Sequence, residues 1–307
     1  MKIYSSYHQM SKEYFDNWTK RYEKVTPQYE MHPQEDYYLI SSKYPIYVVA
    51  DGVTLKRNIE GDYPVPSGAF EVAKLFCEAV IAEAEAMYDS IGDISNDSSK
   101  ILEEIFVIGN QKVKEYNEVQ GRTPETIDYR DFDLFSATTA FVLIKNKKVY
   151  WWSLCDSGVS IFESDSFGQS AQIFQSPEAW PTEAEQIAST GSAELSDTEF
   201  NKLKKRLFRN AVNERGERLG YGVASGEDNA RVYLNSGCIE SEKELTIFVY
   251  TDGYEDYVQL PEFIDIFSEW SGGVESIEVQ VNKFMDEKGR ENIKFARERS
   301  LIAVKVD

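Results

Sequence analysis

The chain of 307 residues carries 53 acidic against 33 basic side chains, a formal charge of −20, with 42% hydrophobic and 13% aromatic residues. That negative charge excludes nucleic acid and anionic membranes as nonspecific partners, since both are polyanions, and the apolar content excludes a disordered chain. Three widely spaced cysteines (Cys77, Cys155, Cys238) and only two histidines (His8, His32) argue against a disulfide framework and a zinc site. No charged-then-apolar leader opens the sequence and no apolar run reaches membrane length, so a cytoplasmic protein is expected.

Residues 1–30 are polar and aromatic without clear periodicity, and are expected to wrap the domain as an N-terminal extension. The runs 37–40 and 45–50 read as two strands of a hairpin around Ser41-Ser42-Lys43. Gly61, Pro64 and Pro66 mark 53–67 as a loop. From 68 to 87 the spacing of Phe70, Ala73, Phe76, Ala79, Val80 and Ala84 is helical, with Ser67 as the N-cap. A polar stretch at 89–99 separates this helix from a second, whose stripe is Ile101, Leu102, Ile105, Phe106, Ile108 and Val113. A polar loop at 118–131 follows.

The pattern then changes to three short strand runs, 136–144, 148–154 and 158–162. The segment at about 164–219 reads as an irregular insert or flap, with a basic amphipathic piece at 202–218 expected to be a solvated helix face. A strand at 245–250, helices at 261–270 and 274–288, and a last strand at 301–306 complete the chain. Helices and strands are grouped rather than strictly alternating. The fold class expected is therefore α+β, with antiparallel strands in two layers and helices outside, as a single domain over 1–307.

Two strand runs end in Asp-Gly: Ile46-Tyr47-Val48-Val49-Ala50-Asp51-Gly52 and Leu245-Thr246-Ile247-Phe248-Val249-Tyr250-Thr251-Asp252-Gly253. Asp-Gly is good turn chemistry after any strand. A pair of them also presents two carboxylates at a sheet edge, and the glycine leaves its carbonyl open to a ligand, an arrangement suited to a hard cation such as Mg²⁺ or Mn²⁺. Further acids lie near other strand ends: Glu35-Asp36, Asp156 in Cys155-Asp156-Ser157, and Glu298 in Arg297-Glu298-Arg299.

In this order the pieces resemble the metal-dependent serine/threonine phosphatases of the protein phosphatase 2C type, over roughly residues 35–307. The matching segments are His32-Pro33-Gln34-Glu35-Asp36, Val48-Val49-Ala50-Asp51-Gly52-Val53, Ser136-Ala137-Thr138-Thr139-Ala140, Leu154-Cys155-Asp156-Ser157-Gly158 and Tyr250-Thr251-Asp252-Gly253. Tyr221-Gly222-Val223 with Gly226-Glu227 is similar to a segment of bacterial members.

The resemblance implies a four-layer sandwich of two antiparallel sheets flanked by helix pairs, with the active site at one end. It implies two Mn²⁺ or Mg²⁺ ions, Asp51 bridging them with the Gly52 carbonyl, Glu35 or Asp36 completing one shell and Asp252 the other. Asp156 is implied as a nearby catalytic acid beside Asp51 and Asp252, and Glu298 as a further ligand. The implied reaction is hydrolysis of phosphoserine or phosphothreonine in a phosphoprotein by metal-activated water.

Three positions depart from the family pattern. Arg297 stands where the last motif has a ligand Asp, with Glu298 one residue on. Met31 stands where a phosphate-binding Arg is expected, and Cys155 replaces the Gly of Gly-Asp-Ser. Two readings therefore stay open: a divergent phosphatase, or a weak or inactive module of the same fold that binds a partner or phosphoprotein. The oligomeric state is not legible.

Overall fold

The computed structural model describes residues 1–10, 12, 33–54, 63, 66–91, 98–129, 132–164, 170–175, 197–292, 295 and 297–306. The strands are β1 (Lys2–His8), β2 (Asp36–Ile40), β3 (Ile46–Gly52), β4 (Ala137–Lys145), β5 (Lys148–Leu154), β6 (Gly158–Ser164), β7 (Ser170–Gln175), β8 (Asn235–Glu240), β9 (Leu245–Tyr250) and β10 (Arg299–Val306). The α-helices are α1 (Gly68–Met87), α2 (Ser98–Val119), α3 (Asp197–Phe208), α4 (Pro261–Ser268) and α5 (Val274–Glu291).

The strands pair antiparallel in two sheets, ordered β1-β10-β9-β6-β7 and β2-β3-β4-β5-β8. Period-two alternation explains how the layers stack. On β3, Ile46, Val48 and Ala50 face α1 and α2, in a cluster with Val72, Phe76, Val80, Leu102 and Phe106. Tyr47 and Val49 face the other way, onto Val159, Ile161, Ile247, Val249, Ile302 and Val304 of the second sheet. The far face of that sheet, with Phe162, Phe248, Tyr250 and Leu301, is covered by Phe263 and Phe267 of α4 and Ile277, Val281 and Met285 of α5. Both faces of both sheets are buried, so β3, β4 and β9 read as unbroken apolar runs despite antiparallel pairing. The result is the expected four-layer α+β sandwich. Each fully buried large apolar side chain contributes about 1.5–3 kcal/mol, so these three clusters fix the strand ends that carry the acids.

Four elements differ from the sequence expectation. Residues 2–8, expected to wrap the domain as part of an N-terminal extension with no strand assigned, form edge strand β1 on β10. The sequence Lys-Ile-Tyr-Ser-Ser-Tyr-His buries only Tyr4 fully, so it lacks the alternation that marks a strand. β8, whose Asn-Ser-Gly-Cys-Ile-Glu sequence carries no apolar run, pairs with β5 at a sheet edge. The segment expected to be irregular contains β7 and α3; residues 165–169 and 176–196 of it lie outside the described residues, as do Met31 and His32. The basic piece after 202 is not simply a solvated face. Lys205 and Arg209 reach back to Asp133 at 2.6 and 2.7 Å, and Arg209 also meets Glu227 at 3.1 Å. Among the described residues, no helix is long and apolar enough to cross a membrane.

Candidate metal centre

One end of the sandwich gathers the acids. Asp36 opens β2 and sits in register with Asp51 near the end of β3, which in turn faces Thr138 of β4. Asp252 follows β9, Asp156 lies in the turn between β5 and β6, and Arg297-Glu298 immediately precedes β10. The two sheets are tied here by Thr251: its hydroxyl donates to Asp36 Oδ2 at 2.7 Å, while the Ser300 N–H donates to Thr251 Oγ1 at 2.8 Å.

Two glycines permit close approach at this rim. A Cβ on Gly52 would lie 2.5 Å from the Ala69 carbonyl oxygen at the start of α1, and one on Gly253 would lie 2.1 Å from the Glu298 carbonyl oxygen. Neither position accepts a side chain, so the Asp-Gly turns are seated against their neighbours by shape.

The electrostatics of Asp51 are one-sided. Burial raises its carboxyl well above the ordinary range, and the charges that add to the effect are Asp36, Asp252, Asp156 and Glu298, all of the same sign. Asp36 is raised well above the ordinary range by burial and then by Glu298, against the hydrogen bonds of Thr251 and Ser300. Asp156 is raised, chiefly by burial, and its Oδ1 is buried with no hydrogen-bond partner among the described residues. Asp252 is pushed up to about 6 by burial and by Asp156, with Arg297 pulling the other way. Such a cluster needs positive charge.

The sequence-predicted residues divide. Asp36, Asp51, Asp156 and Asp252 feel one another and form the centre. Glu298 is close by, but its Oε1 accepts the backbone N–H groups of Glu35, at 2.5 Å, and Asp36, at 2.7 Å, and so holds the entry to β2. Glu35 turns to another set of partners: its Oε1 accepts from Ser67 Oγ at 2.6 Å and from the Tyr63 hydroxyl. Ser67 at the same time accepts the Phe70 N–H as N-cap of α1, so Glu35 joins the β2 entry to a helix start. Cys155 takes φ +61°, a left-handed conformation that the family's glycine would adopt freely.

Residues missed from the sequence are Thr251, Ser300 and Arg299. Arg299 Nη1 donates to the carbonyls of Phe295 and Arg297, both at 2.8 Å, under the rings of Tyr254 and Tyr257 at 5.9 and 5.5 Å. Its neighbours in the sequence gave one signal, an Arg-x-Arg pair beside an acid-rich strand end, but not which arginine faces inward.

The donor set fits a hard, hydrated cation. Carboxylates and a backbone carbonyl are the ligands Mg²⁺ and Mn²⁺ prefer, and such ions keep several waters rather than requiring a protein cage. Among the described residues, no three Asp, Glu, His or Cys side chains stand close enough together to hold an ion by themselves, so the fit rests on the chemistry of the donors and not on a formed cage.

By sequence, the chain matches no family model and no curated protein. By structure it is similar to the catalytic domain of the serine/threonine phosphatase PstP in complex with two manganese ions, at 12% identity and TM-score 0.55, covering 100% of this chain and 98% of that one. It is similar to the S. agalactiae serine/threonine phosphatase, at 10% identity and TM-score 0.55, covering 99% of this chain and 98% of that one. Stp1 from Staphylococcus aureus, also a serine/threonine phosphatase, aligns at 12% identity and TM-score 0.54 over 100% and 95%. The chain thus has the fold of the metal-dependent serine/threonine phosphatases.

Proposed function

We propose that the protein is a metal-dependent phosphatase that hydrolyses phosphoserine or phosphothreonine in proteins, using Mn²⁺ or Mg²⁺ held at the rim of the sandwich. The observation that carries this reading is the accumulation of buried like charge around Asp51, whose charged neighbours are Asp36, Asp156, Asp252 and Glu298. A fold maintained for its own sake has no reason to press these carboxylates together. The fold's phosphatase neighbours and a donor set suited to hard cations support the same conclusion.

Asp51, the Gly52 carbonyl, Asp36 and Asp252 would hold metal, with Asp156 facing the same space. When bound, a divalent cation supplies charge neutralisation for the phosphoryl oxygens and lowers the pKa of a coordinated water. The chain's own residues do the rest. Thr251 fixes Asp36, Glu298 fixes the backbone of β2, and the Asp51 and Asp252 carboxylates are held at the ends of rigid strands. Asp156, with a buried oxygen lacking a donor, is placed to accept a proton or a water hydrogen bond.

The test is hydrolysis of an aryl phosphate and of phosphoserine and phosphothreonine peptides by metal-stripped protein. Turnover is expected only after Mn²⁺ or Mg²⁺ is restored, and Asp51→Asn is expected to lose about 100-fold or more in kcat/KM, the scale of losing one key charge-stabilising group. Turnover that survives chelation, or no turnover at millimolar metal, rejects the reading; in the second case the fold serves as a binding module.

A further inference from the structure

The carboxylates at the rim are not equally in need of a metal. Glu298 is already engaged by two backbone N–H groups, those of Glu35 and Asp36. Asp36 accepts the Thr251 hydroxyl. Asp252 has a full positive charge beside it: Arg297 Nη1 lies 3.2 Å from its Oδ2. That leaves Asp51, which is surrounded by charges of its own sign, with Asp156 nearby, hydrogen-bonded by Thr138 and Cys155 but with its Oδ1 unpartnered among the described residues.

The Arg297–Asp252 pair is a built feature. Arg299 clamps the Arg297 carbonyl at 2.8 Å, and the Glu298 backbone is seated on Gly253 where no Cβ fits. The position of Arg297 is therefore set by β10, the two tyrosines over Arg299 and the Asp252-Gly253 turn together. The pair is part-buried, its side chains 34% and 29% exposed, so water screens some of the attraction between the two charges. A fixed guanidinium among acids is better explained by the charge it supplies.

We propose that Arg297 takes the place of one of two metal ions, so that this centre holds a single divalent cation on the Asp51 side and uses the guanidinium as its second positive charge. The idea rests on the metal-dependent reading above and extends it. Arginine suits the role: it stays charged at every working pH and presents several N–H groups in a plane that matches both carboxylate and phosphoryl oxygens. Arg297 thus holds Asp252 and offers phosphoryl oxygens a protein cation where a second ion would otherwise stand.

The experiment is manganese counting on the full chain, by equilibrium dialysis with elemental analysis and by electron paramagnetic resonance at millimolar Mn²⁺. The wild type is expected to bind about one ion per chain, with the signal of an isolated ion, rather than the close pair of a two-metal centre. Arg297→Asp, which removes the cation and adds a ligand, is expected to bind a second ion and to give an exchange-coupled signal. Arg297→Gln, which removes the charge but keeps a polar amide on an unbranched stem, serves if the Asp variant does not fold, and it too is expected to admit a second ion by releasing Asp252. A coupled pair in the wild type overturns the inference and leaves the phosphatase reading standing. The inference is likewise overturned if both variants still hold one isolated ion. No manganese at all in the wild type overturns the metal-dependent reading along with it.

Discussion

Among the described residues, carboxylates are buried beneath α3 and at the rim of the sandwich, and the two places treat them oppositely. Beneath α3, Asp133 is met by Arg209 at 2.7 Å and Lys205 at 2.6 Å, and Arg209 is shared with Glu227. The Asn210 amide also donates to Glu227, at 2.9 Å. Burial alone would raise the Asp133 carboxyl, but the two cations hold it below its ordinary value. At the rim of the sandwich, Asp36, Asp51, Asp156 and Asp252 are all raised, with Arg297 the cation that acts on Asp252. An acid whose charge is answered within the chain acts as a structural element, and one whose charge is not answered is a candidate ligand, the role proposed for the rim. Sign of charge around a buried acid, more than burial itself, separates the two roles.

The contrast can be broken by mutation, beginning with the compensated network. Asp133→Ala leaves buried Arg209 with only Glu227 of its two carboxylate partners, and is expected to lower unfolding free energy by about 3 kcal/mol in urea denaturation. A loss below about 1 kcal/mol would mean that Glu227 alone suffices for Arg209. At the rim the corresponding change should do the reverse to metal-free protein. Asp51→Asn removes mutual repulsion and is expected to hold or raise the melting temperature without metal. It is also expected to abolish the stabilisation by Mn²⁺, which for wild type at a hundredfold excess over Kd is about 2.7 kcal/mol.

The pH dependences have opposite signs. A carboxyl raised on folding keeps its proton longer in the native state than in the unfolded chain. Its favourable contribution is therefore present below the unfolded value and is lost as pH rises, for Asp252 between about pH 4 and about pH 6. Asp133, held below its ordinary value, contributes stability above that value and loses it as pH falls. Compared with metal-free wild type in urea denaturation, metal-free Asp252→Asn is expected to lose less stability between about pH 4 and about pH 6. Saturating Mg²⁺ should flatten the wild-type slope, and a slope unchanged by either would show that the rim acids are not the cause. The smallest expected effect is at Cys155. Cys155→Gly relieves a left-handed φ costing about 1–2 kcal/mol, less about 0.5–1 kcal/mol of added chain entropy, a net gain of about 0.5 kcal/mol in thermal unfolding.

Much of the fold was legible in the sequence because its central strands are buried on both faces, so β3, β4 and β9 stand out as apolar runs, and α1 and α2 carry full stripes. Edge strand β2 was legible too, but edge strands β1, β7 and β8 were not. β1 and β8 are half solvated and held by long-range pairing, which leaves no local pattern to read. At the rim, the Asp-Gly turns could be found because their chemistry is local. The engagement of Glu298 with the β2 backbone, the tie from Thr251 to Asp36 and the clamp of Arg299 on Arg297 could not. Each depends on residues far apart in sequence that meet only when the two sheets close. Arg297 was visible as an oddity of sequence; its contact with Asp252 gives it a role.

The most direct measurement is anomalous diffraction at the manganese edge from crystals soaked in Mn²⁺. A peak touching the Asp51 carboxylate and the Gly52 carbonyl is expected. Crystals that diffract well but show no anomalous density at Asp51, or show it only elsewhere on the molecule, would contradict the assignment of this rim as a metal centre.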